Sequence, residues 1–395
     1  MKIERFMRII RGIAWVAITL LAALAFVRTA WVPLLAIAIA VFALPLVGWI
    51  AVGRAGSKVR VELASATTAA KDSPIEVRLA MRSDARIPIA HARVDVQAKN
   101  LLTGEIEKVM ASASVPPHGD VEVPVILESA YCGRIACTVS AVRLYEPFRI
   151  FSRRVPVKAE RRFTVMPTLH DAYLRDVYAA SPLSDTTVFS PYVKGSDLSE
   201  VFALREYEEG DELKRIHWKL SEKIDRMIVR DASLPLDNAL LLFWDKGIAL
   251  GAQDVAGRAD AMAEVVLALM ERLSHADVAF EVASNDISAG SCPRAFVTDE
   301  SDIYEAIGQL LSAPVAVAAE SGIDGYRRFY GALTCSRLIY VCAERPAALE
   351  DALGVCEALL LVCDGGHDLV VGPHVSEIRF PADGAREALA MVGAM

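Results

Sequence analysis

Between Arg205 and Asp231 the chain reads REYEEGDELKRIHWKLSEKIDRMIVRD, and it offers Asp211, His217, Ser221 and Asp231 as candidates to move protons or hold metals. His217 and Ser221 stand four apart, which places them on one face of a helix, where an imidazole can serve as general base toward a hydroxyl. Asp211 and Asp231 are carboxylates suited to orienting such a base or ligating a hard cation. A metal-assisted hydrolase built on Asp211, His217 and the later Asp245 is the enzymatic alternative. A plainer account needs less: Asp211 caps a helix or pairs with Arg215 at i,i+4, His217 is a surface residue, and Trp218 packs against a sheet. The chain carries no nucleophile elbow, no phosphate-cradling Gly-rich loop and no HExxH helix. The plainer account is therefore favoured, with no catalytic residue, no cofactor and no small-molecule substrate expected.

Cysteine and histidine give a second candidate. Cys335, Cys342, Cys356 and Cys363 lie near His367 and His374, but without the close pairs of structural zinc sites. Core positions in apolar strands account for them better. Cys132 and Cys137 could staple a hairpin in an oxidising compartment, yet the odd total of seven cysteines favours reduced, buried thiols.

The elements that must position the 205–231 residues are legible. A strand-like run from Glu200 to Tyr207 feeds a turn at Glu209-Gly210-Asp211. A helical pattern follows, with Leu213, Ile216, Leu220 and Ile224 on one stripe, and Met227 to Arg230 returns as a short strand. The segment holds seven Lys or Arg against eight Asp or Glu, and the chain carries a net charge of -8. That balance argues against general affinity for nucleic acid or for anionic lipid surfaces and suits a protein contact.

This segment resembles the signature of a bacterial family known as domain of unknown function 58, MoxR-associated membrane proteins with a von Willebrand factor A-like domain. The family pattern, R-E-Y-x-x-G-D-x-x-R-x-I-x-W-x-x-S, matches Arg205, Glu206, Tyr207, Gly210, Asp211, Lys214 or Arg215, Ile216, Trp218 and Ser221. Arg143 to Phe151 is similar to a second landmark, with Glu146 where Asp is more usual, and Thr164-Val-Met-Pro167 is similar to the strand that follows. The resemblance implies partnership with a MoxR-type AAA+ ATPase. It also implies a metal site of the form Asp-x-Ser-x-Ser after the first central strand. The corresponding residues are Asp245-Lys246-Gly247-Ile248-Ala249, so both hydroxyls are missing and an ammonium stands beside the acid. Thr298 and Asp299 are the remaining oxygen candidates. A working metal site is not expected.

Around the signature the chain divides into four parts. Residues 1–55 read as a membrane anchor of two transmembrane helices: Gly12 to Val27 and Thr29 to Gly53 are uncharged apart from Arg28 between them, against a need of about 20 apolar residues per span. Basic residues at both ends place the soluble bulk in the cytoplasm, giving a multi-pass cell-membrane protein. An outward-facing binding module is the alternative. Alternating apolar residues over 56–166 predict an immunoglobulin-like β-sandwich. Residues 167–199, with Pro182, Pro191 and Gly195, predict an extended connector. Residues 200–395 predict a von Willebrand A-like α/β domain, with Asn238–Asp245 as its buried central strand. The expected function is that of a non-enzymatic membrane-tethered scaffold or adaptor.

Overall fold

The computed structural model describes residues 2–172, 189–208, 211–235, 240–318, 320–331, 333, 335, 337–346, 349, 357–372 and 375–394. The chain forms two compact units.

The first unit comprises Met1–Asn100, Gly104–Ala130 and Arg134–Met166. It begins with helices α1 (Lys2–Thr29) and α2 (Val32–Gly56). Both are long and apolar enough to cross a bilayer. Between them Ala30 adopts a positive φ of 53°, and a proline in the first turn of α2 loses no intrahelical hydrogen bond there. The helices pack side by side. Trp15 stacks on Phe42 with centroids 5.4 Å apart, and its indole Nε1 donates to the Val41 carbonyl at 2.8 Å.

Eight strands follow: β1 (Val59–Ser65), β2 (Thr68–Ala70), β3 (Ile75–Ser83), β4 (Ile89–Asn100), β5 (Ile106–Val115), β6 (Gly119–Leu127), β7 (Gly133–Tyr145) and β8 (Ser152–Met166). They form two sheets, ordered β1-β3-β6 and β2-β8-β7-β4-β5. The period of two decides which face is inside. In β3, Ile75, Val77, Leu79 and Met81 are buried while Glu76, Arg78 and Arg82 are exposed. They join Val94, Val96, Val139, Val142 and Leu144 of the other sheet in one core. Cys132 and Cys137 are free thiols, and both are buried. Burial pushes the Cys137 thiol up to about 12.

The second unit comprises Leu101–Thr103, Tyr131–Gly133 and Pro167–Met395. A two-stranded ribbon opens it: β9 (Phe189–Glu206) pairs antiparallel with β10 (Ile228–Pro235), and α3 (Trp218–Ile224) lies between them in sequence. Two expectations are corrected here. Residues 189–199 are the first part of β9, despite Pro191 and Gly195, because β10 supplies a pairing partner that composition cannot announce. The single helix expected after Asp211 is broken into a 3-10 turn at Leu213–Arg215, an isolated bridge from Ile216 to Val229, and α3. Bridging to β10 draws Ile216 out of helical geometry and buries it, while Ile224 on the same expected stripe is exposed.

The larger sheet has seven strands in the order β14-β13-β11-β16-β17-β19-β18. Its strands are β11 (Leu240–Trp244), β13 (Phe280–Ser284), β14 (Arg294–Val297), β16 (Arg337–Cys342), β17 (Glu357–Val362), β18 (Leu369–Val371) and β19 (Val375–Arg379). The inner five are parallel, and antiparallel β14 and β18 close the edges. All five residues of β11 are buried, as a central parallel strand requires. A two-stranded parallel pair joins β12 (Gly247–Ile248) to β15 (Ala316–Val317). The helices are α4 (Val255–His275), α5 (Glu300–Leu310), α6 (Gly322–Tyr330) and α7 (Ala385–Ala394). Asp299 stands at the N-cap of α5. Chain order in the parallel core reverses between β11 and β16, and a parallel sheet opens a crevice beyond its strand ends at such a reversal. Asp245 is the first residue after β11 at this point.

Candidate functional site

The signature residues form a small frame. Arg205 grips Asp211 bidentately, Nη1 to Oδ2 at 2.7 Å and Nη2 to Oδ1 at 2.6 Å. The Glu208 N–H also donates to Asp211, at 2.9 Å. Glu206 pairs with Arg226 at 2.8 Å, and the Tyr207 N–H donates to the Met227 carbonyl. Ser221 Oγ donates to the His217 carbonyl at 3.1 Å and accepts the Ile228 N–H at 2.9 Å, tying α3 to β10. Asp225 ends α3 in the left-handed region at φ 58°, a conformation Asp tolerates better than most residues. Gly210 lies outside the described residues. Asp231 falls in β10.

Several roles differ from expectation. Asp211 does not cap α3; that position belongs to His217, whose Nδ1 accepts the Leu220 N–H at 3.3 Å. Asp211 pairs with Arg205, not Arg215, because the broken helix never brings 211 and 215 into i,i+4 geometry. The ion partner of Arg215 is Glu212, at 3.6 Å. Trp218 does not pack on a sheet: it is 61% exposed, beside exposed Ile224 and Met227 in the same segment. His217 Nδ1 is thus engaged at a helix end and the Ser221 proton is directed to a backbone carbonyl and not to the imidazole.

The grip of Arg205, reinforced by the Glu208 N–H, lowers the Asp211 carboxyl from an ordinary 3.8 to about 2. A carboxylate whose folded value is depressed contributes stability that is present above its unfolded value and is lost as pH falls through the folded one. The melting temperature of the wild type is therefore expected to drop more steeply from pH 4 to pH 2 than that of Asp211→Asn, measured in parallel scans. Equal slopes would remove the Arg205–Asp211 pair from the account.

At the end of β11, Asp245 is 4% exposed and its carboxylate meets four donors. Oδ1 accepts the Gly247 N–H at 2.8 Å and Asn285 Nδ2 at 2.7 Å. Oδ2 accepts the Gly322 N–H at 2.8 Å and the Tyr340 hydroxyl at 2.5 Å. Asn285 turns its own Oδ1 to the Lys246 N–H at 2.7 Å. Gly322 is the first residue of α6, so the positive end of that helix faces the acid. Four donors and a helix N-terminus supply what a cation would otherwise supply, and a divalent ion does not fit there. The burial of Tyr340, with Asp245 beside it, pushes its hydroxyl well above its ordinary value, keeping it protonated as a donor.

Lys246 plays a different part from the one expected. Successive residues leave a strand on opposite sides, and its ammonium reaches the carbonyls of Leu310 and, at 3.1 Å, Ala313. It thereby caps the C-terminal end of α5, where positive charge is favoured. Complete burial lowers it to about 7. Thr298 and Asp299 are likewise spent on structure. Asp302 Oδ2 accepts the Thr298 hydroxyl at 3.0 Å and the N–H groups of Thr298 and Asp299 at 3.1 and 3.2 Å, fixing the start of α5. Cys342 and Cys363 are buried in the core. Among the described residues, no three His, Cys, Asp or Glu side chains are placed to share a metal ion. Nothing in the sequence around Asn285, Gly322 or Tyr340 marks them as partners of Asp245. Ser321 before Gly322 signals a helix start, but nothing local links that start to Asp245.

No family model and no curated protein sequence matches the chain. Among solved structures it is similar to the CARDB domain of the PF1109 protein from Pyrococcus furiosus, at 12% identity over 27% of this chain and 87% of that one, with a TM-score of 0.21. The alkylpurine DNA glycosylase AlkC of Pseudomonas fluorescens gives 13% identity over 34% and 38% of the two chains, with a TM-score of 0.20. Red sea bream transglutaminase gives 13% over 32% and 20%, with a TM-score of 0.21.

Proposed function

We propose that this protein is a membrane-anchored, non-enzymatic scaffold or adaptor of the domain of unknown function 58 type, working with a MoxR-type AAA+ ATPase in assembly or remodelling of membrane or envelope complexes. The ATPase enters through the sequence resemblance alone. The sandwich is read as immunoglobulin-like and the α/β unit as von Willebrand A-like with its metal position degenerate. The apolar helices are read as a hairpin crossing the membrane, with both soluble units in the cytoplasm.

One observation carries the adaptor reading: the signature is rigid underneath and exposed on top. Arg205 is paired with Asp211, Glu206 with Arg226 and Ser221 with the backbone on either side, whereas Trp218 is largely exposed in a segment carrying charges of both signs. An exposed tryptophan on a fixed frame is the residue type that anchors protein contacts, and surrounding mixed charge selects the partner. Against the hydrolase alternative stand the committed His217 and Ser221 and the donor-saturated Asp245.

The test is co-purification from mildly solubilised membranes. Trp218→Ala is expected to leave the melting transition within about 1 °C of wild type, since exposed substitutions cost little. Half-buried Arg215, paired with Glu212, is compared as Arg215→Ala only if its melting is also unchanged, and both variants are expected to lose an ATPase that wild type retains. Retention by both variants, or no ATPase with wild type, would overturn the adaptor reading.

A further inference from the structure

The loop between β7 and β8 is more constrained than its length requires. Glu146 is 1% exposed, and its carboxylate accepts the N–H groups of Phe148 and Ile150, each at 2.5 Å, and of Phe151 at 3.1 Å. Arg149 takes a positive φ of 57°. The result is a fixed hook whose tip, Pro147, Phe148 and Arg149, is exposed. The hook is held against the apolar helices. Phe151 meets Trp15 edge-on at 5.7 Å and lies 6.2 Å from Trp49, and Arg8 donates to Ser152 at 2.8 Å. Gly48 lies directly against Glu146, where an added Cβ would stand 3.3 Å from the Glu146 Cβ.

These contacts set a depth. Beyond the hook, α1 continues only from Trp15 to Thr29 and α2 only from Val32 to Gly48. At 1.5 Å per residue those lengths are about 22 and 25 Å, less than the roughly 30 Å hydrocarbon core. A hairpin spanning that core therefore brings the hook to the headgroup boundary or into it. The chemistry there matches: Trp15 and Trp49 are of the residue type of the interfacial belt, Phe148 is half exposed, Arg149 is at the tip itself, and Arg8 reaches Ser152 beside the hook. Arg149 and Arg11 come close enough to His91 to add to the lowering that its burial causes.

We propose that the Glu146–Phe151 hook is an interfacial lipid-binding element, with Phe148 at the headgroup–acyl boundary of a bilayer and Arg149 on lipid phosphate. This rests on the reading of α1 and α2 as membrane-spanning. The test uses full-length protein in phospholipid vesicles, with Cys335 and Cys356 replaced by serine. A nitroxide is placed at Phe148→Cys, Leu21→Cys or Glu76→Cys, the last being an exposed sandwich position. Collision with oxygen and with a water-soluble nickel chelate is read by electron paramagnetic resonance. The label at 148 is expected to favour oxygen over nickel severalfold relative to the label at 76, and adding Arg149→Glu is expected to shift it toward nickel. A label at 148 that matches the one at 76 while that at 21 reads hydrocarbon would overturn the hook proposal and leave the spanning reading intact. If the label at 21 also reads water, both fall.

Discussion

Gly322→Ala is expected to destabilise the second unit by about 3 kcal/mol, the upper range for forcing a methyl into a filled core. In thermal melts of the full-length protein in detergent this corresponds to a fall of roughly 6–12 °C for a unit of this size. A Cβ on Gly322 would stand 2.6 Å from Phe243 Cε1 and 2.8 Å from Asp245 Cγ. Neither can yield. Phe243 is stacked on Tyr340 at 5.4 Å and abuts Tyr326 edge-on at 5.9 Å, and Asp245 is fixed by its donors. Relief would withdraw the N-terminus of α6 from the carboxylate and weaken its hydrogen bond to the Gly322 N–H. Gly308→Ala makes the control. That glycine lies inside α5 with nothing within 4 Å of the added methyl, so the change should raise stability by up to about 1 kcal/mol. A Gly322→Ala protein that melts with wild type would mean that α6 does not depend on this close approach.

Asp245→Ala is expected to cost about 4 kcal/mol, because buried donors lose their acceptor at once and each unsatisfied group costs about 1–3 kcal/mol. The Gly247 and Gly322 N–H groups, Asn285 Nδ2 and the Tyr340 hydroxyl are all affected. Asp245→Asn should also be costly, since its amide nitrogen would face donors. The same geometry predicts that millimolar Mg²⁺ or a chelator leaves wild-type melting unchanged within about 1 °C. A site half-filled at one hundredth of the ion concentration would add about 2.7 kcal/mol and raise the melting point by several degrees. Such a rise, abolished in Asp245→Ala, would restore the metal reading. Loss of stability without metal dependence assigns Asp245 to architecture.

Hydropathy and periodicity alone marked the two long apolar helices, the alternating strands of the first unit and the buried run of β11. Each is a local property: an uncharged stretch as long as a bilayer is thick, or a period of two, is already present in the unfolded chain. The loss of both hydroxyls after Asp245 was equally legible. The donors that hold Asp245 were not, because they come from β12, the residue after β13, the start of α6 and the middle of β16, and only the closed sheet brings them to one carboxylate. The same holds for the signature. Its residue types were evident, but the spacing of Leu213, Ile216, Leu220 and Ile224 suited a continuous helix. Pairing with β10 decided otherwise, since burying Ile216 against Val229 and satisfying the backbone through Ser221 outweigh the weak preference for helix at those positions. Period and composition set local structure; the tertiary fold alone determined which polar groups were free to act, because hydrogen-bond partners distant in sequence meet only after folding.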